Sequence, residues 1–191
     1  LFDAGAAGNI TVTSTTNVGT GDVTVRDAAV TLFTGKVTAD NYTQIDGTTS
    51  TTFSTAFDIG TETTDAFNFT GQVLTLNGTG DNTVSGSMDV TNAGVFTTND
   101  DVTLTVGTEF EQDGTGTNTI GGNITSTNDG ITFATAVTLD GTDGETITFQ
   151  TGEGSGDDIL LSSTLASNAN EDILFDAGAA GNITVTSTTN V

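Results

Sequence analysis

The chain has 191 residues, with 25 Asp+Glu against two Lys+Arg, a formal net charge of −23, and no His, Cys, Pro or Trp. Neutralising phosphates takes Lys and Arg, so the composition excludes direct nucleic-acid binding and disfavours anionic lipid surfaces. Without Cys and His there are no disulfides, thiolates, zinc centres or imidazole bases, and the chain reads as a non-enzyme that needs no cofactor.

In chain order, short apolar runs alternate with Thr: Ile10-Thr-Val12, Val23-Thr-Val25, Val30-Thr-Leu32, Val102-Thr-Leu104-Thr-Val106, Ile131-Thr-Phe133 and Ile147-Thr-Phe149. Period-two alternation gives one buried and one wet face, and β-branched Thr and Val suit a pleated strand. Gly, Asn and Asp cluster between the runs, as tight turns require. No window carries a 3.6-residue apolar stripe; residues 161–172 come nearest to a helical turn, and their Ser and Asn content favours a loop. No run approaches 18 apolar residues, so membrane insertion is not expected. No basic stretch leading into an apolar core opens the chain, so no signal peptide is read there.

One feature organises the whole. Residues 1–18 and 174–191 both read LFDAGAAGNITVTSTTNV, a complete match at an offset of 173. The chain divides into one full unit, 1–173, and the start of the next identical unit, 174–191. A copied end added by design would seldom break inside a strand-like segment, so a longer tandem array is the simpler reading. Decayed repeats lie within the unit. Phe67-Asn-Phe69 with Val73-Leu-Thr-Leu76-Asn-Gly-Thr resembles Ile131-Thr-Phe133 with Val137-Thr-Leu139-Asp-Gly-Thr, 63 to 64 residues on. In both, an apolar anchor (Val84, Ile147) follows the last Leu by eight residues. Such spacing fits three turns of about 21 residues each, as in a stacked array.

Two all-β architectures accommodate these runs: a β-solenoid (parallel β-helix) with about eight coils per repeat, or two sandwiches of about 86 residues each. Short strands, the spacing near 21, the lack of Pro and a thin core favour the solenoid: Val, Ile, Leu and Phe total only 46 residues. Val12, Val23, Val25, Leu76, Val102, Leu104, Phe133, Leu139, Ile147 and Phe149 are the expected core.

The segments Gly19-Thr-Gly-Asp-Val-Thr-Val25, Ile131-Thr-Phe-x-x-x-Val-Thr-Leu139 and Asn9-Ile-Thr-Val-Thr-Ser14 give the chain a texture. It resembles the repetitive solenoid regions of filamentous-haemagglutinin-like and autotransporter-like bacterial surface proteins. The resemblance is one of composition and covers the whole chain. It implies an elongated right-handed coil, secretion to the cell surface, and a role in adhesion or fibre building. The homogeneous 173-residue period shifts the expectation toward the shaft of an extracellular filament. Its partners would then be adjacent repeats stacked end to end, with lateral bundling of fibres.

Carboxylates are the only reactive groups in quantity. Hard oxygens in Gly-rich turns suit Ca²⁺, and Asp100, Asp101, Asp140, Asp143, Glu145, Asp157 and Asp158 are the candidate ligands. The plainer reading makes them solvated turn residues bonded to local backbone. A calcium-dependent adhesin binding glycans or another cell is the alternative function. The Thr-x-Thr pairs at 11–13, 61–63, 103–105, 115–117, 125–127 and 146–148 raise ice binding as a minor one.

Overall fold

A computed structural model describes residues 1–168, 170–187 and 189–190, the last two in backbone only. Twenty-four strands and no helix occur among the described residues. All strand pairs are parallel, and Cα partners lie 19 residues apart at the shortest step (Val23 to Tyr42) and 28 at the longest (Ile131 to Ile159). Parallel pairing at nearly one-coil spacing is a β-solenoid of about eight turns; the two-sandwich alternative is overturned.

Each coil crosses three faces. The first face carries Tyr42–Gln44, Ala66–Gly71, Ser87–Asn92, Phe110–Gln112, Ile131–Phe133, Ile159–Leu161 and Ile183–Val185. The second carries Ser50–Phe53, Val73–Leu76, Phe96–Thr98, Asn118–Ile120, Val137–Leu139, Leu165–Ser167 and Thr189–Asn190. In the first two coils the long strands Phe2–Val12 and Val23–Phe33 run through the corner between these faces and join them into one sheet. The third face is a separate eight-stranded sheet, from Thr16–Asn17 to Asp172–Asp176.

The alternation seen in the sequence sets which side chains go in, except at Val30-Thr-Leu32. There Thr31 is buried and the two apolar residues are half-exposed, because the long strand Val23–Phe33 turns a corner before them. In Val102–Val106 the Val and Leu residues are buried and the two Thr half-exposed, and Ile131-Thr-Phe133 behaves alike. A coil of about 22 residues encloses few side chains, so the core is a column, and large residues must fill it along its length. Nine of the eleven Phe are buried. Their rings run in contact from Phe33 through Phe53 and Phe57 to Phe67, and from Phe96 through Phe110 and Phe133 to Phe149. Each buried ring contributes about 1.5–3 kcal/mol from transfer alone. The two Phe that are only partly buried are Phe2 and Phe175, in the end coils.

Nine of the ten expected core residues are buried; Val12, in the first coil, is half-buried because no coil lies below it. The decayed repeat is three coils long: Phe67 and Ile131 stand in one column of the first face, three rungs apart. Its matched anchors do not coincide, however. Val84 pairs with Val106, whereas Ile147 sits four positions earlier along the third face, because the turn at 140–145 is longer than that at 77–79. Residues 161–172 are not simply a loop, since Leu165–Ser167 forms a rung of the second face; residue 169 lies outside the described residues.

Candidate functional site

The solenoid is open at both ends. At one end the inward residues Phe2 and Val12 lack a covering coil, and at the other Ile173, Phe175 and Val185 do; all five are partly exposed. Ile183, which also faces inward, is 48% exposed. These apolar edges carry unpaired strand groups, the arrangement by which another coil adds.

The outward middle row of the first face runs Thr24, Thr43, Asn68, Asp89, Glu111, Thr132, Leu160, Thr184. Asp89 and Glu111 are direct neighbours on adjacent rungs. Partial burial, then the charge of Asp113, raises the carboxyl of Asp89 above its ordinary value. Burial, followed by the charges of Glu111, Asp129 and Asp89, does the same to Glu109. The only ion pairs among the described residues lie elsewhere, Arg26 to Asp3 at 2.7 Å and Lys36 to Asp58 at 3.6 Å.

The candidate calcium ligands fall at two corners. Between the second and third faces, Asp100 accepts from the Thr142 hydroxyl at 3.1 Å, and Glu145 from the Thr142 N–H at 3.3 Å. There too, Asp140 accepts from Asn168 at 3.2 Å and Asp143 from Asn170 at 3.0 Å. Asp101 occupies the left-handed region, φ 60°, in the turn closed by Val102 N–H to Asn99 O. Between the third and first faces, Asp157 is buried and accepts from Gly154 N–H at 2.7 Å, while Asp158 accepts from the backbone and side chain of Asn182. Only the bonds of Glu145 and Asp157 are local turn bonds to backbone, as the plainer reading expects. Those of Asp100, Asp140, Asp143 and Asp158 tie one coil to another, 24 to 42 residues away. No group of three or more carboxylates placed to hold a metal ion occurs among the described residues.

The Thr-x-Thr pairs do not make one face: 61–63 and 115–117 lie in turns. A short column, Thr83, Thr105 and Thr125, stands on the third face and draws on the pairs 103–105 and 125–127. The longest Thr column is single-file on the second face, Thr52, Thr75, Thr97, Thr119 and Thr138. Its members are about 20 residues apart, so no local motif marks it.

A polar feature that no sequence motif marks lies inside the corner between the first and second faces. Gln44, Asn92, Gln112 and Asn118 are buried there. Gln112 donates to Asn92 at 2.8 Å and to Gly114 O at 3.0 Å, and accepts from Asn118 at 3.1 Å and Thr135 at 3.0 Å. Gln44 accepts from Tyr42 at 2.9 Å and Thr51 at 2.7 Å. Outside this corner runs an open groove of about 300 Å³, lined by Asp46, Gly47, Gly71, Asn92, Asp113 and Gly114 among others.

The chain is thus defined as a parallel β-solenoid protein. No protein-family profile matches it, and neither a curated protein nor a solved structure does.

Proposed function

We propose that the chain is a structural, non-enzymatic repeat of a secreted bacterial surface filament, in which solenoid units stack end to end into a rigid shaft. The observation that carries this reading is the pair of open, apolar ends joined to the 18-residue identity: one unit's last coil is built from the sequence that begins the next. A coil alone buries too little to stand, and each added coil is stabilised by the one beneath, so the stack propagates. The net charge of −23 supports the filament reading by keeping long rods soluble and apart. Secretion to a cell surface rests on the resemblance in composition, and immunolabelling of intact cells tests it.

A chain of three units tests the filament itself. It should appear in electron micrographs as one straight rod, lengthening by roughly 37 Å per unit at about 4.8 Å per coil. Beads joined by linkers would refute the shaft.

A calcium-dependent adhesin repeat is the second reading. The repulsion between Asp89 and Glu111, direct neighbours on adjacent rungs, favours this reading, because a divalent ion bridging that pair would relieve it, although the described residues bring no third carboxylate into a metal-holding group. An increase in melting temperature on adding calcium would support it.

A further inference from the structure

We infer that the 173-residue unit does not contain a whole number of coils, so that successive units of an array are turned by a third of a revolution about the solenoid axis.

The two copies of the 18-residue segment lie on different faces. In the first copy Phe2 pairs with Val25 on the first face, Ile10 with Thr31 on the second, and Thr16 with Val37 on the third. In the second copy Phe175 pairs with Phe149 on the third face, Ile183 with Ile159 on the first, and Thr189 with Leu165 on the second. All three anchors give the same displacement, seven coils and two faces. One period is therefore a face short of eight coils, and three periods close on about 23 coils.

The segment keeps its own shape while changing place. Asp3 accepts from Gly5 N–H at 3.2 Å, and Asp176 from Gly178 N–H at 3.1 Å. Gly5 and Gly178 are both left-handed, φ 71° and 62°, a conformation that glycine adopts without strain. A Cβ on Gly8 would meet Ala4 O at 2.1 Å, and one on Gly181 would meet Ala177 O at 2.4 Å, so the backbone bends back tightly in both copies, within the strand Phe2–Val12 in the first and in the turn 177–182 in the second. The inward parity holds as well: Phe2 and Val12, like Phe175 and Val185, pack against the core. The segment is a self-contained corner. It turns the first face into the second at one end, and the third into the first at the other.

Any corner can take it because all three faces present the same unit, an inward, an outward and an inward residue. Val23-Thr-Val25, Val137-Thr-Leu139 and Leu104-Thr-Val106 are examples from the three faces. The partner that fits the open C-terminal edge is then a second copy of this unit, entered at a different corner. A surface row such as Thr52 to Thr138 would pass to a new side with each unit and return after three. The last step rests on the tandem-array reading; the face assignment of the second copy does not.

Two experiments separate them. The chain has no cysteine, so oxidation of engineered pairs has no background. Leu160 and Thr184 are neighbours on the first face, and the variant L160C/T184C should close a disulfide as readily as the control pair T119C/T138C. If one period were eight whole coils, Thr184 would stand beside Ala166 on the second face, and A166C/T184C would close instead. That result overturns the inference, as does closure of the control alone. In a three-unit chain carrying one gold label per unit at the Thr119 position, the labels should appear on three sides of the rod. Labels in a single line overturn the rotation while leaving the shaft intact. A chain that forms no rod refutes the array, and the face assignment is then decided by the disulfides of the 191-residue chain.

Discussion

Phe175 stands edge-on to Phe149, ring centroids 5.8 Å apart at 62°, and Phe2, one period earlier in sequence, stands edge-on to Phe33 at 6.2 Å and 78°. The same residue of the unit thus ends the aromatic column at both extremities. In a tandem stack it would meet a Phe149 below and a Phe33 above, so the column would continue through the junction. This makes the position of Phe175 a probe of stacking. Phe175→Ala in the 191-residue chain should cost little, because the ring is only partly buried. In a two-unit chain the same substitution at the internal junction should cost about 3–5 kcal/mol, the usual figure for a buried Phe. Urea denaturation followed by far-UV circular dichroism reads both.

Phe133 supplies the comparison within one unit. It is buried in the middle of the column, 5.2 Å from Phe110 and 5.6 Å from Phe149 between centroids. Phe133→Ala leaves a cavity that rungs on either side cannot close, since their backbones are fixed by the ladder. The expected loss is about 3–5 kcal/mol in the single unit, with no dependence on unit number.

The acids of the first face make stability depend on pH in a direction opposite to ordinary acid unfolding. Asp89 and Glu109 hold their protons more tightly when folded than their ordinary values of 3.8 and 4.5. A raised folded pKa gives stability that is complete below the unfolded value and is lost as pH rises through the folded one. Between neutrality and those values, lowering the pH should therefore raise the melting temperature. Asp89→Asn with Glu109→Gln should raise it at pH 7 and flatten the profile. A melting temperature that falls steadily from pH 7 to about 5 would contradict the assignment. Asp3 opposes the trend, since its bond to Arg26, then that to the Gly5 N–H, lowers its pKa; its contribution is lost only in stronger acid.

The fold was legible because the three-residue inward-outward-inward unit is local. Val102-Thr-Leu104-Thr-Val106 can be read as a strand with one buried side from five consecutive letters, and the match of 67–79 with 131–142 reveals the coil length. What the letters conceal is whatever depends on vertical neighbours. Asn118 looks like a turn residue among Gly and Thr, yet it lies buried because Gln112, one strand earlier in the same coil, turns inward to bond it. Asp89 and Glu111 are 22 positions apart and become neighbours only through the register. The face occupied by each copy of the duplicated segment is equally non-local, for it depends on the summed lengths of every intervening turn.

The buried amides give a prediction of their own. Gln112→Ala removes partners from Asn92, Asn118 and Thr135 together. Buried groups left unsatisfied cost about 1–3 kcal/mol each, so a total loss of about 2–4 kcal/mol is expected once some find replacements. Gln112→Glu should be worse at pH 7 than at pH 4, because a carboxylate cannot donate to Asn92 and Gly114. Chemical denaturation at the two pH values measures the difference.

Glycine close approach sets the last expectation, and it distinguishes two glycines that look alike in sequence. Gly107 follows a strand of the third face, and a Cβ there would lie 1.9 Å from the carbonyl oxygen of Ser85 on the rung below. That oxygen belongs to backbone held by ladder bonds, Gly107 N–H to Val84 O and Ser85 N–H to Ile59 O, both 2.8 Å, so it cannot retreat without opening the corner. Gly144, by contrast, has φ 81°, but a Cβ added there would meet nothing within 4 Å. Gly107→Ala should therefore cost about 3 kcal/mol through forced separation of rungs. Gly144→Ala should cost about 1 kcal/mol through backbone strain alone. Hydrogen exchange tells the two apart beyond their size: Gly107→Ala should speed exchange at Ser85 on the rung below as well as at Thr108 beside it, whose N–H bonds Gly86 O of that rung, whereas Gly144→Ala should leave every rung outside its own turn protected as before.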